Sequence, residues 1–181
     1  VPFDASADKS TIQKTILDAL PADEKMDGLI FNAGGTGYDK TGVAGGPNHV
    51  LDMVQINLIG HIHLLDALLS KNFLKRGETT IVYAGSEAAR GVAMMGMSPP
   101  KMPDTAEGYK RLIEGESSKK NKNKKNKYDS MTYYTVVKGM AALYWSAWAR
   151  ENPDYFVLTV SPGGTSGTAF ASQKGVPKAM R

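Results

Sequence analysis

The sequence predicts an α/β fold built on a parallel β-sheet with helices on both faces. Three short apolar runs, at residues 28–31, 79–84 and 155–160, alternate with longer segments whose apolar residues recur at helical spacing. Each run ends in a polar or glycine-rich turn. Strands that alternate with amphipathic helices form parallel sheets, because each helix returns the chain to the same end of the sheet. Ligands of such sheets bind at the carboxyl ends of the strands, so the turns are the candidate site.

The chain begins with the end of a strand and a helix. Residues 1–4 are interpreted as the last residues of a strand, and Asp8 or Ser10 is placed to cap the helix that follows. Apolar residues at helical spacing continue as far as Pro21, which ends the helix because proline cannot continue its hydrogen-bond ladder. The strand at 28–31 comes next and runs into a glycine turn.

Two long helices are predicted in the rest of the chain. Residues 48–72 form the first, with leucines and valine along one side, before the strand at 79–84. The segment at 91–130 shows no clear period and predicts no regular element. The second long helix contains Tyr134 and continues to about Glu151.

The composition excludes several kinds of site. The 181 residues include no cysteine, so disulfides, thiolate catalysis and cysteine-based zinc sites are impossible. No apolar run approaches the length of a membrane span. The net charge of +4 depends on six lysines between residues 119 and 127, without which it is −2. This lysine-rich run is interpreted as a solvated loop, with an acidic partner as the minor alternative. Nucleic acid is not an expected partner, because the run has no interleaved aromatic residues for base stacking.

Tyr134 and Lys138 are the most informative pair in the chain. They are four residues apart, so a helix places both side chains on one face. A neighbouring ammonium favours the phenolate, and we therefore expect Lys138 to lower the pKa of Tyr134 below its ordinary value of about 10. A tyrosine tuned in this way can exchange a proton with a hydroxyl or carbonyl oxygen. Tyr133 competes for this role but lacks the four-residue spacing to Lys138.

With the residues at the strand ends, this pair resembles the short-chain dehydrogenase/reductase family. The matching positions follow the family's order along the chain: Asp4, Asn32-Ala33-Gly34, Asn57, Ser86, Tyr134, Lys138 and Pro162-Gly163. Each match alone is a weak signal, whereas the ordered set is specific. The resemblance implies a Rossmann-type, doubly wound sheet and an oxidoreductase that uses NAD or NADP on a carbonyl or alcohol substrate.

The resemblance also implies a role for each matching residue. Tyr134 is the acid/base, and Lys138 supports it and binds ribose hydroxyls. Ser86 polarises the substrate oxygen, and Asn57 links Lys138 to solvent through a water. The implied cofactor contacts are Asp4, Asn32, Ala33, Gly34, Tyr134, Lys138, Pro162, Gly163 and Thr165, with Thr168 as the alternative to Thr165. The competing interpretation is that Ser86 and the glycines are ordinary turn residues.

Two features depart from the family pattern. The glycine-rich phosphate turn and the first two strands are not found in the 181 residues, so the choice between NAD and NADP cannot be read. We therefore interpret residues 1–181 as a single partial domain and expect further chain at both ends, or another chain that covers the gap left by the first two strands. Ser86 and Tyr134 are 48 residues apart, which indicates a lysine- and asparagine-rich insertion at about 92–130.

Three functions are compatible with this sequence. The first is the NAD(P)-dependent oxidoreductase, and the second is a non-catalytic family member that serves as a structural or binding subunit. The third and weaker one is a polyanion-binding module that uses the lysine run. The expected partners are a small-molecule substrate and, by resemblance, a second copy or another protein against the long helices. No metal site is predicted, because His61 and His63 are two apart on a helix and point in different directions.

Overall fold

A three-stranded parallel sheet forms the centre of the structure, a computed structural model that describes residues 3–36, 50–92, 98–115 and 130–163. The strands are β1 (Gly28–Phe31), β2 (Thr80–Ala84) and β3 (Phe156–Val160). They lie side by side in chain order, and both pairings are parallel. The predicted α/β fold with a parallel sheet is therefore confirmed.

Four helices accompany the sheet in the described residues. They are α1 (Lys9–Ala19), α2 (Asp52–Ser70), α3 (Ala106–Glu114) and α4 (Ser130–Glu151). A π-helical turn at Gln55–Ile59 interrupts α2, and a short 3-10 turn at Glu87–Arg90 follows β2. Single π-helical turns inside α-helices are frequent at functional sites, so the position of this one is informative.

The start of α1 follows the sequence closely. Asp8 caps the helix by accepting a hydrogen bond from the backbone N–H of Thr11 at 2.9 Å, which decides between the two predicted caps. Ile12 and Ile16 are buried one turn apart against the core. The helix ends at Ala19, before Pro21, as predicted.

One predicted element is wrong, one predicted helix starts later than expected, and one helix was not predicted. Residues 3–4 form no strand, because they lead directly into the turn before α1. In the predicted helix at 48–72, Val50 is not helical and α2 begins at Asp52. At its other end α2 stops at Ser70, and Asn72 takes a left-handed conformation (φ 59°) that ends the helix.

The helix α3 was not predicted. It lies in the segment at 91–130, where the sequence showed no clear period. Thr105 caps it by accepting a hydrogen bond from the backbone N–H of Gly108 at 3.1 Å. None of its residues is fully buried, but Tyr109, Leu112 and Ile113 recur at helical spacing and pack against the core, so a helical signal was present in this segment and was missed. The Ile113 carbonyl accepts a hydrogen bond from the Leu51 N–H at 2.9 Å, which ties α3 to the start of α2.

A cluster of aromatic rings fills the space between the sheet and the long helices. Phe31 and Tyr83 are paired in register on β1 and β2, so they point to the same face of the sheet. Trp145 on α4 is fully buried and stacks on both rings, at centroid distances of 4.8 and 5.9 Å. His61 on α2 stacks on Phe31 at 5.0 Å. This cluster fixes α2 and α4 against the strand ends.

The rings beside Trp145 on α4 extend this core. Tyr144 and Trp148 lie edge-on to Trp145, at 5.3 and 6.3 Å between centroids. Both are half-buried, whereas Leu143, which precedes Tyr144, is 55% exposed. A contact between the long helices of two molecules stays a prediction.

The opposite face of the sheet is apolar and exposed in the part of the chain that the structure describes. Its large side chains are Ile30, Phe156, Leu158 and Val160, of which Ile30 is 69% and Phe156 64% exposed. The register places Ile30, Val82 and Leu158 side by side across the three strands. Helices on both faces were predicted, and the helices of the described residues bury only one.

The helix α2 is the one described element with the length and composition of a membrane span. It has 19 residues, and an 18-residue stretch of it has a mean hydropathy of 1.2. Of that stretch, 61% is buried inside the protein. The sequence-based statement that no run approaches this length is thus wrong for α2. Its burial is typical of a core helix, which must be apolar for the same reason as a span.

Gly60 offers a direct test of how closely α2 approaches the chain before α1. A Cβ atom at Gly60 would collide with the backbone of Ala5, lying 2.9 Å from its carbonyl carbon. We expect Gly60→Ala to lower the free energy of unfolding by about 1–3 kcal/mol, because backbone atoms must move to make room. Urea unfolding followed by circular dichroism measures this change.

Gly28→Ala is the matched control for this substitution. A Cβ at Gly28 would meet only the Thr80 carbonyl oxygen, at 3.9 Å, which is an ordinary contact. Its effect should stay within about 0.5 kcal/mol. Equal effects of the two substitutions would show that α2 does not pack on Ala5 as described.

Candidate active site

Lys138 places a buried ammonium at the carboxyl end of β2. Lys138 is only 4% exposed, and its side chain comes from α4, which packs over the sheet. The Nζ atom donates hydrogen bonds to the Ala84 carbonyl at 3.0 Å and to the Tyr83 hydroxyl at 3.3 Å. Two of its three N–H donors are thus satisfied by described residues, and the third is available to another acceptor.

Tyr134 lies one helical turn before Lys138 and is also buried. The helix puts the two side chains on one face, and the Lys138 Nζ is 5.8 Å from the centre of the Tyr134 ring. The Ser86 and Tyr134 side chains lie near enough to each other for Ser86 to lower the pKa of Tyr134. The structure therefore brings together the three residues that the sequence placed in one acid/base unit.

The net shift of the Tyr134 pKa is opposite to the lowering that the sequence predicted. Burial raises the pKa of Tyr134, and the nearby Ser86 side chain opposes this rise without overcoming it. Lys138 is affected in turn, because burial lowers its pKa from 10.5 to about 8. Spacing along a helix predicted the proximity of the two groups but not their burial, and burial dominates both pKa values.

Ser86 makes two contacts in this geometry. Its Oγ caps the 3-10 turn after β2 by accepting a hydrogen bond from the Ala88 N–H at 3.2 Å. The same side chain faces Tyr134. The turn-residue interpretation is therefore correct, but it does not replace the catalytic one, because the cap holds the hydroxyl beside the phenol.

Asn57 joins the helix α2 to the glycine turn after β1. It is fully buried, and its side-chain amide donates to the Gly35 carbonyl and to the Met53 carbonyl, both at 2.7 Å. Its Oδ1 accepts from the Gly35 N–H at 3.2 Å. These contacts commit the side chain to the turn, and the water link from Asn57 to Lys138 stays a prediction.

The turn at Asn32–Gly34 is exposed at the end of β1 and lies close to the buried pair. A Cβ atom at Gly34 would lie 2.6 Å from the Asn57 Oδ1 and 3.3 Å from the Lys138 Nζ. Only glycine leaves room for both groups, which gives a physical reason for the glycine of this motif. Asn32 and Ala33 present their backbone to solvent beside it.

Asp4 lies at a separate point of the surface, before α1. It is exposed, and hydrogen bonds from the Ser6 hydroxyl and N–H lower the pKa of its carboxyl. It borders a depression of about 330 Å³ whose lining is Phe3, Asp4, Ala7, Thr11, Ile12 and Thr15. This depression contains none of the four predicted catalytic residues, so its size does not identify the reaction site.

The last predicted cofactor residues follow β3. Pro162 and Gly163 are exposed, and Gly163 has a left-handed backbone (φ 71°) that favours glycine. The Val160 carbonyl accepts from the Gly85 N–H at 2.7 Å, which brings the end of β3 beside the end of β2. Thr165, Thr168 and the lysine run at 119–127 lie outside the described residues, and so does much of the predicted insertion.

Tyr83 is the residue of this site that the sequence reasoning missed. It lies on β2, fully buried, with its hydroxyl between the Lys138 Nζ and the Asn57 backbone carbonyl. A tyrosine in an apolar strand is an ordinary core residue, so the sequence carries no signal for this contact. The alternation of side chains along β2 could have placed it on the helix-covered face, but not beside Lys138.

Comparisons with known proteins find similarity among solved structures only. No protein-family model matches this chain, and no curated protein matches it. A short-chain dehydrogenase family protein from Francisella tularensis subsp. tularensis SCHU S4 is similar at 21% identity and a TM-score of 0.55, over 94% of this chain and 53% of that one. An alcohol dehydrogenase from the archaeon Thermococcus sibiricus, complexed with 5-hydroxy-NADP, is similar at 19% identity and a TM-score of 0.58, over 97% and 58%.

A carbonyl reductase from Pseudomonas aeruginosa PAO1 gives the same result, at 18% identity and a TM-score of 0.54, over 95% of this chain and 62% of that one. At such identities the similarity shows the fold. The chain spans between 53% and 62% of the length of these three structures.

The low pKa of Lys138 predicts a pH dependence of stability. In the folded protein Lys138 loses its proton near pH 8, whereas the ordinary pKa is 10.5. Above pH 8 the unfolded state therefore binds more protons than the folded state, and stability rises with pH. We expect Lys138 to contribute up to about 1.4 kcal/mol per pH unit in this range, measured by urea unfolding at a series of pH values.

The comparison of two lysine variants isolates this contribution. Lys138→Met should remove the rise above pH 8, and Lys110→Met, an exposed lysine on α3, should keep it. An unchanged pH profile in Lys138→Met would mean that the ammonium is not buried as described.

Proposed function

We propose that this chain, which has the fold of the short-chain dehydrogenases/reductases, is an NAD(P)-dependent oxidoreductase acting on a carbonyl or alcohol substrate. The observation that carries the proposal is the contact of Tyr134 with Ser86 beside the buried Lys138. These groups lie where the carboxyl ends of parallel strands meet, which is where such sheets bind ligands. The Thermococcus sibiricus relative is complexed with 5-hydroxy-NADP, which supports a cofactor of this class.

The described residues fit a nicotinamide cofactor. The third N–H donor of Lys138 is available, and the exposed Gly34 beside it has no side chain to obstruct an incoming hydroxyl. The exposed residues Asn32–Gly34 and Pro162–Gly163 border the same end of the sheet. When bound, the cofactor supplies or accepts the hydride, and the protein contributes orientation and proton transfer.

Tyr134 is placed to give a proton to the substrate oxygen. Because burial raises its pKa, the phenol stays protonated near neutral pH and is ready to act as an acid. The Ser86 hydroxyl, which faces the same phenol, is positioned to stabilise negative charge on that oxygen. The protonated phenol suits the reduction of a carbonyl, whereas oxidation requires Tyr134 to begin as the base; the raised pKa also makes the phenol a weaker acid than a free tyrosine.

Tyr134→Phe tests the proposed acid directly. We expect kcat for carbonyl reduction to fall by about 10²–10⁴-fold, because the proton donor is lost while the ring keeps its packing. Cofactor affinity should persist, since Lys138 and the glycine turn are untouched. A panel of aldehydes and ketones with NADH and NADPH, followed by nicotinamide absorbance in the intact protein, gives the measurement.

Tyr133→Phe is the matched control, because it removes a hydroxyl from the neighbouring tyrosine. It should retain turnover. Cofactor binding without turnover of any carbonyl compound would favour the non-catalytic alternative, and no binding of either cofactor would contradict both.

Gly34→Ala tests the cofactor site independently of proton transfer. The added methyl would lie 2.6 Å from the Asn57 Oδ1, so the turn or the Asn57 side chain must shift. We expect the affinity for NADH or NADPH, measured by fluorescence titration, to weaken by at least about tenfold. Gly28→Ala, at the other end of β1, should leave it unchanged. Equal affinities in both variants would place the cofactor elsewhere.

A further inference from the structure

The Tyr83 hydroxyl occupies the space between two groups of the candidate site. It donates a hydrogen bond to the Asn57 backbone carbonyl at 3.2 Å and accepts one from the Lys138 Nζ at 3.3 Å. Tyr83 and Asn57 are fully buried, and Lys138 is nearly so. A protein hydroxyl thus makes a direct connection from the lysine to the helix α2.

Only the hydroxyl of Tyr83 takes part in this connection. The ring itself packs in the aromatic cluster, 5.9 Å from Trp145 and 6.0 Å from His61 between centroids. A phenylalanine would fill the same space and keep those ring contacts. The oxygen is an additional polar group in the core, where an unpaired hydroxyl is costly, and its two partners offset that cost.

The π-helical turn of α2 supplies the other end of the connection. Asn57 lies inside the turn at Gln55–Ile59, and its side chain is committed to Gly35 and Met53. Its backbone carbonyl points instead at Tyr83. Tyr83 therefore joins three elements, β2, α2 and α4, at one buried oxygen.

We propose that Tyr83 is a positioning residue that holds the Lys138 ammonium beside Tyr134 by anchoring it to the Asn57 carbonyl. Loss of the hydroxyl would leave the Ala84 carbonyl as the remaining acceptor for Lys138 among the described residues. The ammonium would then be less stable in its buried position and freer to move from Tyr134. The catalytic consequence rests on the proposed function, whereas the contact itself does not.

The titration of Lys138 can be observed without interference from its neighbours. Tyr134 on α4 and Tyr83 on β2 have raised pKa values, because both phenols are buried. His61 on α2 has a pKa lowered to about 4 by burial and by the charge of Lys138. Near pH 8, Lys138 is thus the group of this described cluster that changes charge.

The test compares Tyr83→Phe with the unaltered intact protein. Lysine side chains labelled with ¹³C are followed by NMR through a pH titration, and Lys138 is identified by its absence in Lys138→Met. We expect the pKa of Lys138 to fall by about one pH unit in Tyr83→Phe, because a hydrogen bond to the charged form is lost. An unchanged value in the folded variant would overturn the proposal.

Tyr155→Phe is the matched control, because Tyr155 is a buried tyrosine packed on Trp148 at 5.6 Å. Trp148 is ten residues along α4 from Lys138, roughly 15 Å away, so the Lys138 titration should be unaffected. If Tyr83→Phe does not fold, the ¹³Cζ resonance of Tyr83 in the unaltered protein is measured instead. It should change with the ionisation of Lys138, and a constant signal would overturn the proposal.

Activity measurements separate this proposal from the proposed function. In an active enzyme, Tyr83→Phe should move the alkaline limb of the kcat profile to lower pH by the same amount as the Lys138 titration. A shifted Lys138 titration in a protein without turnover would support the anchor and contradict the oxidoreductase. A shifted titration with an unmoved kcat profile would overturn the positioning role and leave the oxidoreductase standing.

Discussion

The buried ammonium of Lys138 is the constraint on which this end of the structure depends. A charge in the protein interior must be matched by hydrogen-bond acceptors, because it has lost the water that would otherwise solvate it. The matching acceptors come from β2, as the Ala84 carbonyl and the Tyr83 hydroxyl. Because the Lys138 ammonium must reach both acceptors, α4 is fixed relative to the sheet in its position and in its rotation about its own axis. Tyr134 lies one turn before Lys138 on the same helix, so its position is fixed as well.

The surroundings of this charge are apolar and aromatic, and that environment controls the chemistry. Phe31, Tyr83, His61 and Trp145 pack as one group beneath the strand ends. The nitrogens of His61 and Trp145 find no hydrogen-bond partner among the described residues, so this region offers little polar solvation. Burial accordingly lowers the pKa of Lys138 and raises that of Tyr134. The acid/base pair is held ready in a state that suits proton donation.

Local signals predicted most of the elements, whereas α3 and the start of α2 were missed. Asp8, Pro21 and the apolar run at Gly28–Phe31 act within a few residues, so α1 and β1 follow from them almost to the residue. The helix α3 and the true start of α2 depend on each other through the Leu51–Ile113 hydrogen bond, which joins residues far apart in sequence. Periodicity reports only neighbours on one element and is blind to such contacts.

The sequence by itself predicted the parallel α/β fold, and its resemblance to the short-chain dehydrogenases/reductases grouped Asn57, Ser86, Tyr134 and Lys138. It also determined the one-turn spacing of Tyr134 and Lys138, which any helix imposes. Only the tertiary structure decided the direction of the Tyr134 pKa, since this depends on burial by residues from β2, α2 and α4 together. Only the tertiary structure placed Tyr83 in the site, because its role arises from two contacts at sequence separations of 26 and 55 residues.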